Sequence, residues 1–292
     1  MQNIKDIQIR DPFVLKDHGK YYLFGSTDKN IWGDNLGTGF DVYVGEDLEN
    51  WEGPHFAFRP EKDFWGKTNF WAPEVYKYKE AYYMFATFCG EDGMRGTAIL
   101  RSENPTGPFR EWSEGAVTPK EWMCLDGTFY VDENQQPWMI FCHEWVQIKD
   151  GTICAVRLSE DLKSTIGEVI TLFKSTDAWW SSQVTSKSFN ITGWVTDGCN
   201  LHKMKNGKLL MQWSCMGEEG YCIAYALSDN GSILGPWQQA EAPLFKKDGG
   251  HGMIFETYDN RLLLSIHTPN DSPNERAAFF ELIETQEGLE LK

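Results

Sequence analysis

No Cys-x-x-Cys pair occurs anywhere in the chain, so a zinc site of the usual spacing is not expected. No apolar run is long enough to span a membrane, and "MQNIKDIQIRDP" at the N-terminus has no signal-type apolar core. The expected location is therefore cytoplasmic, or extracytoplasmic where a leader has been removed. Lys/Arg clusters are missing too. Lys and Arg number 27 against 43 Asp and Glu, a formal net charge of -16, which argues against a nucleic-acid or polyanionic partner and leaves room for a neutral one. No long amphipathic helical pattern interrupts the chain, and no linker or low-complexity segment divides it. The seven cysteines, Cys89, Cys124, Cys142, Cys154, Cys199, Cys215 and Cys222, are an odd number and cannot all pair within the chain. Most lie in apolar, strand-like runs, so they read as reduced core residues of a reducing compartment.

What the chain does have is hydrophobic and aromatic content, 41% and 14% of 292 residues, enough for a large core. It also repeats itself. "RDPFVLKDHGKYYLFGST" at Arg10 reads as two short strands joined by a tight turn through Asp17, His18, Gly19 and Lys20. "APEVYKYKEAYYMFAT" at Ala72, "DGTFYVDENQQPWMIFCHEW" at Asp126, "DGCNLHKMKNGKLLMQWS" at Asp197 and "HGMIFETYDNRLLLSIHT" at His251 follow the same plan. Later in each of the first four units a further strand precedes a turn, as in "DVYVGEDLENW" and "CIAYALSDNGSILGPW". Five units with room for four strands each predict one all-β domain over 1–292, a five-bladed β-propeller.

That architecture bears on a costly feature of the sequence. A carboxylate at the mouth of an apolar strand must be paired or used. Met once, Asp11 reads as a strand cap or a partner of Arg10. In a propeller, the first strands of all blades line the axis, so Asp11, Asp126, Asp197 and His251 are expected to converge at one end of the channel. The second strands return to the same face and end in Ser26-Thr27-Asp28, His143-Glu144-Trp145, Ser214-Cys215 and His267-Thr268. Carboxylates that close together repel and drive their pKa values apart, as acid/base catalysis requires.

These motifs, taken in order, resemble glycoside hydrolase family 43. The resemblance runs from about Arg10 to the last strand. It includes "FWAPEVYKYKEAYYMFAT", "LDGTFYVDENQQPWMIF", "GGHGMIF" and "HTPNDSPNERAAFFEL". It implies an inverting, exo-acting hydrolase that releases arabinofuranosyl, xylosyl or related sugars from plant-type glycans. Asp11 takes the place of the family's general base. Asp126 takes that of the carboxylate that tunes and orients the acid. His251 takes that of the axial His near a water or metal ion, with calcium the possible ion and no cofactor otherwise required. Arg276 takes that of an Arg pointing into the site. In the fourth blade the family places Glu where this chain has Asp197, one methylene shorter. Two candidates for the acid therefore stand, Asp197 and Glu144, and a third reading is a catalytically weakened carbohydrate-binding propeller. A glycoside phosphorylase would need a cationic phosphate site, for which only Arg276 and His251 offer themselves. Trp71 and Trp145 flank the site-facing ends and, with Arg276 and His267, are the expected sugar contacts. Trp32, Trp65, Trp179 and Trp180 fall in loop-like segments and are further platform candidates.

Overall fold

The computed structural model describes residues 1–29, 31–32 and 35–292. Five antiparallel sheets are arranged as the blades of a propeller. Blade 1 runs through Arg10–Asp17, Lys20–Ser26, Phe40–Gly45 and Asn50–Phe58. Blade 2 runs through Thr68–Tyr78, Ala81–Cys89, Arg95–Ser102 and Arg110–Ala116. Blade 3 comprises Cys124–Val131, Pro137–His143, Thr152–Leu158 and Thr165–Lys174. Blade 4 comprises Asp197–Lys203, Leu209–Gly217, Gly220–Ser228 and the short Gln238–Gln239. Blade 5 comprises Gly250–Glu256, Leu262–Thr268, Arg276–Glu284 and Leu289–Leu291. Between blades 3 and 4 the chain makes an extra hairpin, Val184–Ser186 with Ile191–Gly193.

The first turn forms as its residues dictate. Asp17 pairs with Lys20, and His18 and Gly19 both have positive φ, 49° and 75°, as a two-residue hairpin turn that matches strand twist requires. Side chains fill the seams between blades. Phe40, Phe58, Phe64, Phe70 and Phe88 pack edge to face and tilted between blades 1 and 2, with Phe64 and Phe88 centroids 4.9 Å apart. Smaller residues, Cys142, Cys199, Cys215 and Cys222, pack beside Trp213 between blades 3 and 4. All seven cysteines are free and buried, as their apolar settings suggested.

Ring closure does not use a shared strand. The N-terminal Gln2–Asn3 pairs with the outer strand of blade 1 itself. Closure falls to side chains and loops. Arg276, expected in the site, is one of them: it bridges to Gln8 and donates to the carbonyls of Lys5, Pro273 and Glu275. It ties blade 5 to the N-terminal segment and does not line the central cleft, because its guanidinium is consumed by backbone carbonyls.

Each innermost strand has a register break near its start, and at that break the backbone takes positive φ: Asp11 (53°), Ala72 (46°), Asp126 (56°), Gly198 (50°) and His251 (42°). Positive φ is unfavourable for any residue but glycine, so four of the five positions hold strained, non-glycine backbone. The geometry corrects one alignment. Asp197 is not the counterpart of Asp11; Gly198 is, and Asp197 stands one residue earlier, matching Arg10, Trp71, Leu125 and Gly250. The reason is steric. A Cβ on Gly198 would lie 2.6 Å from His251 Cγ, so no side chain fits there.

Replacing Gly198 with Ala should therefore cost about 2–4 kcal/mol, strain and clash together. Gly19→Ala, at φ 75° but with nothing within 4 Å of the new Cβ, should cost only about 1–2 kcal/mol. Urea unfolding of the two variants checks the difference.

Candidate active site

The five bulges bring their residues to one end of the axis, at the floor of a cleft of about 1180 Å³. Asp11, Asp126, Asp197, Glu144, His251, Trp71 and Trp145 all line it, as the sequence led us to expect. His267 does not. It is fully buried beneath Asp11, and its Nδ1 accepts the Asp11 backbone N–H at 3.2 Å. Burial pushes its pKa down to about 3, so the ring is neutral. A neutral ring accepting at Nδ1 carries its proton on Nε2, which faces Asn270 Oδ1 at 3.3 Å. Although Nδ1 lies 3.4 Å from Asp11 Oδ1, it has no proton to give, and the contact is not an ion pair. His267 supports the site from behind and has no face for a sugar.

Asp11 is built as an anion. Burial alone would raise its pKa, but His251, Arg10 and the Ser26 hydroxyl together hold it below the usual 3.8. Ser26 Oγ donates to Asp11 Oδ2 at 2.6 Å, and His251 Nδ1 lies 3.3 Å from Oδ1. Asp126, of the same residue type and at the same bulge position, goes the other way. Burial is the main cause, the Asp11 charge adds to it, and its pKa rises to about 8 even though the Gly198 N–H donates to Oδ2 at 2.9 Å. Asp197 is driven well above its usual value, first by burial and then by the Asp126 charge. The two carboxyls lie close enough that each perturbs the ionisation of the other. The Tyr221 hydroxyl donates to Asp197 Oδ2 at 3.0 Å. One cleft thus presents an ionised carboxylate and, across the axis, a carboxyl pair that keeps a proton at neutral pH. Such a combination can take a proton from one group and give one to another.

Glu144 has no such freedom. Both its oxygens accept from Arg95, at 2.5 Å from Nε and 2.7 Å from Nη2, in a buried fork. A carboxylate gripped at both oxygens by a guanidinium is committed to that partner. Arg95 in turn lies over the rings of Trp71, at 5.4 Å, and Phe189, at 5.3 Å. Phe189 sits at the tip of the extra hairpin and forms one wall of the cleft. Trp71 and Trp32, centroids 5.3 Å apart, also line the cleft, with the Arg10 guanidinium over Trp32 at 4.9 Å. Of the other loop tryptophans, Trp65 lines a neighbouring cavity, Trp179 is exposed away from the cleft, and Trp180 packs on Trp213 in the core.

Among the described residues, no group of three or more His, Cys, Asp or Glu side chains is arranged to hold a metal ion. His251 Nδ1 faces Asp11 Oδ1 at 3.3 Å and Asp126 Oδ2 at 3.7 Å. Among the described residues, no helix is long and apolar enough to cross a membrane.

Three functional neighbours were not visible in the sequence. Arg10 lines the cleft, as Arg95 does, whereas Arg276 does not. Tyr221 and Arg95 stand at the starts of the third strands of blades 4 and 2, where no repeat motif points to them. The cue for Arg10 was its adjacency to Asp11.

A family model described as glycosyl hydrolases family 43 matches residues 3–288. A solved structure described as an endo-arabinase from Bacteroides thetaiotaomicron is 39% identical, with 98% of each chain covered and a TM-score of 0.90. An endo-1,4-beta-xylanase from the same organism is 24% identical over 100% of this chain and 96% of its own, with a TM-score of 0.80. An exo-1,5-alpha-L-arabinanase from a bovine ruminal metagenomic library is 17% identical over 100% and 99%, with a TM-score of 0.70. At those identities the last two share the fold. The chain belongs to glycosyl hydrolases family 43, and it is a glycosidase that acts on carbohydrate.

The protonation pattern has a thermodynamic consequence. In the folded state Asp126 keeps its proton to about pH 8, whereas in the unfolded chain it loses it near 3.8. Between those values the native state binds more protons, so stability from this group falls as pH rises. Asp126→Asn removes the titration but keeps an acceptor for the Gly198 N–H. It should match the parent near pH 4 and exceed it by on the order of 1–3 kcal/mol at pH 8, as denaturant unfolding at the two pH values would register.

Proposed function

We propose that this family 43 enzyme hydrolyses neutral pentose glycosides with inversion, removing arabinofuranosyl or xylosyl units from the ends or branches of plant-type glycans. The observation that carries this reading is the divided ionisation of the site: Asp11 held as an anion and the Asp126–Asp197 pair holding a proton, all facing one cleft. Asp11 takes a proton from a water, which attacks the anomeric carbon. Asp197 gives a proton to the departing glycosidic oxygen. Inverting enzymes keep base and acid roughly 6.5–9.5 Å apart so that the water fits between. Burial, with Asp126 beside it, keeps Asp197 in its protonated form, and the Tyr221 hydroxyl fixes its orientation. The aspartate is a methylene shorter than a glutamate, and its position one residue before the bulge, on a backbone gripped by Asp126, is our account of how it serves as the acid. Trp71 and Trp32 offer faces to the C–H side of a sugar.

The aromatic lining of the cleft, Phe189, Trp32 and Trp71, is our ground for an end or a branch of a chain as substrate. A second reading, internal cleavage of arabinan, is favoured by the 39% identical relative, which is described as an endo-arabinase. Linear arabinan, branched arabinan and xylan, followed by product chromatography, distinguish them. Steady release of monosaccharide is the expected result, whereas an early ladder of oligosaccharides would establish internal attack. A chain that turns over none of them, nor any aryl pentoside, would be a binding protein.

The acid assignment is tested by leaving groups. A nitrophenol departs without protonation, while a sugar alcohol does not. Asp197→Asn should lose about 10²–10⁴-fold in kcat on arabino- or xylo-oligosaccharides and far less on nitrophenyl pentosides. Glu144→Gln, which only loosens the Arg95 fork, should show no such divergence. The opposite pattern would move the acid to blade 3.

A further inference from the structure

On the second strand of every blade, one residue pairs with the residue just before the bulge: Ser26 opposite Arg10, Thr87 opposite Trp71, Cys142 opposite Leu125, Ser214 opposite Asp197, and His267 opposite Gly250. Four of these five reach across a seam and accept the backbone N–H of the next blade's positive-φ residue. Ser26 accepts from Ala72 at 2.7 Å, Thr87 from Asp126 at 2.9 Å, Ser214 from His251 at 2.9 Å, and His267 from Asp11 at 3.2 Å. The ring of blades is thus latched at the axis by one hydrogen bond per seam. The third seam breaks the pattern. Cys142 is fully buried, in the same cluster as Cys199. The Gly198 N–H goes instead to the Asp126 carboxyl.

The chemistry explains the exchange. A thiol is a poor acceptor, and a buried N–H left unpaired is costly. Blade 1 shows what a hydroxyl does in the same place: Ser26 receives the Ala72 N–H and passes its own hydrogen to Asp11 Oδ2. Asp11 therefore reaches the next blade through an intervening oxygen. Asp126, with no hydroxyl beside it, binds the next blade directly, and what it binds is the peptide joining Asp197 to Gly198.

We propose that Cys142 is a positioning residue: by withholding the hydroxyl found at the equivalent place in three other blades, it obliges Asp126 to latch blade 3 to blade 4 and so holds the Asp126 carboxyl against Asp197. In this way two aspartates at equivalent bulges acquire opposite tasks, one an anion and one a proton-sharing partner. The assignment of a proton-sharing partner to the acid rests on the function proposed above; the latch itself does not.

Cys142→Ser supplies the missing hydroxyl. It takes the Gly198 N–H, donates to Asp126 and draws that carboxyl back from Asp197. The other charged or titratable groups around Asp126, namely Asp11 from blade 1, Glu144 from blade 3, Asp197 and Cys199 from blade 4, and His251 from blade 5, are unaltered. The test is NMR titration of the whole chain carrying ¹⁵N-glycine and ¹³C-carboxyl aspartate. In the parent and in Cys142→Ala, the Gly198 amide should follow the titration of Asp126. In Cys142→Ser it should cease to follow, Asp126 should ionise at lower pH, and the alkaline limb of kcat/KM on oligosaccharides should move down by about one pH unit. The converse variant, Ser26→Cys, should make the Ala72 amide begin to report Asp11.

A Gly198 amide that ignores Asp126 in the parent overturns the proposal, whether or not any variant folds. So does a folded Cys142→Ser that titrates like the parent, or a Cys142→Ala that loses the coupling as fully as Ser does. If the amide behaves as expected while no glycan is hydrolysed, the latch stands and the function proposed for the site falls.

Discussion

Everything at the axis depends on a strained backbone position repeated five times. A regular strand would point alternate side chains along the blade faces. The break in register, with φ near +50°, turns one residue per blade toward the channel end. That conformation is unfavourable for aspartate, alanine and histidine, and persists only where surrounding contacts over-determine it. The contacts are the cross-seam latches. Each satisfies the N–H of the strained residue from the neighbouring blade, so the feature that orients the functional groups is also one that joins the blades. Ring closure and site assembly are in this sense one event.

The electrostatics follow from who accepts each latch. Asp11 is backed by neutral His267, flanked by Arg10 and His251, and given a hydroxyl by Ser26; its charge is welcome. Asp126 lies as deep, receives one backbone N–H, and faces two other carboxylates, so its charge is not. Arg10 contributes at three points. It favours the Asp11 anion, reaches buried Glu275 at 3.6 Å and Asn270 at 2.8 Å in the closing loop, and lies over Trp32 at the cleft wall. The closure of the ring and the shape of the cleft therefore share a residue, and damage to either is felt at the other.

Much of this was legible beforehand because repetition and turn chemistry are local. The paired apolar runs with turn residues between them announced hairpins, five of them announced a propeller, and the start of each run marked the axis. The motifs in order pointed to the family. What misled was reading blade 4 by residue type: Asp197 looks like Asp11 in a linear alignment, yet the Gly198 bulge follows it by one. Arg276 looked like a site arginine because it sits in the closing motif, whereas its guanidinium is spent on carbonyls. Glu144 looked free because Arg95 lies 49 residues away and on another blade.

The sequence alone determined the number of blades, the end of the channel where chemistry gathers, and the carboxyl groups that gather there, because hairpin spacing and strand periodicity are encoded within short windows. It could not say which aspartate is charged, which glutamate is clamped, or that a cysteine in the third blade leaves a backbone N–H for Asp126. Those depend on burial and on partners as far as 46 and 256 residues distant, such as the latches from Ser26 to Ala72 and from His267 to Asp11. Burial and long-range hydrogen bonds exist only once the ring has closed, and they set each proton's place.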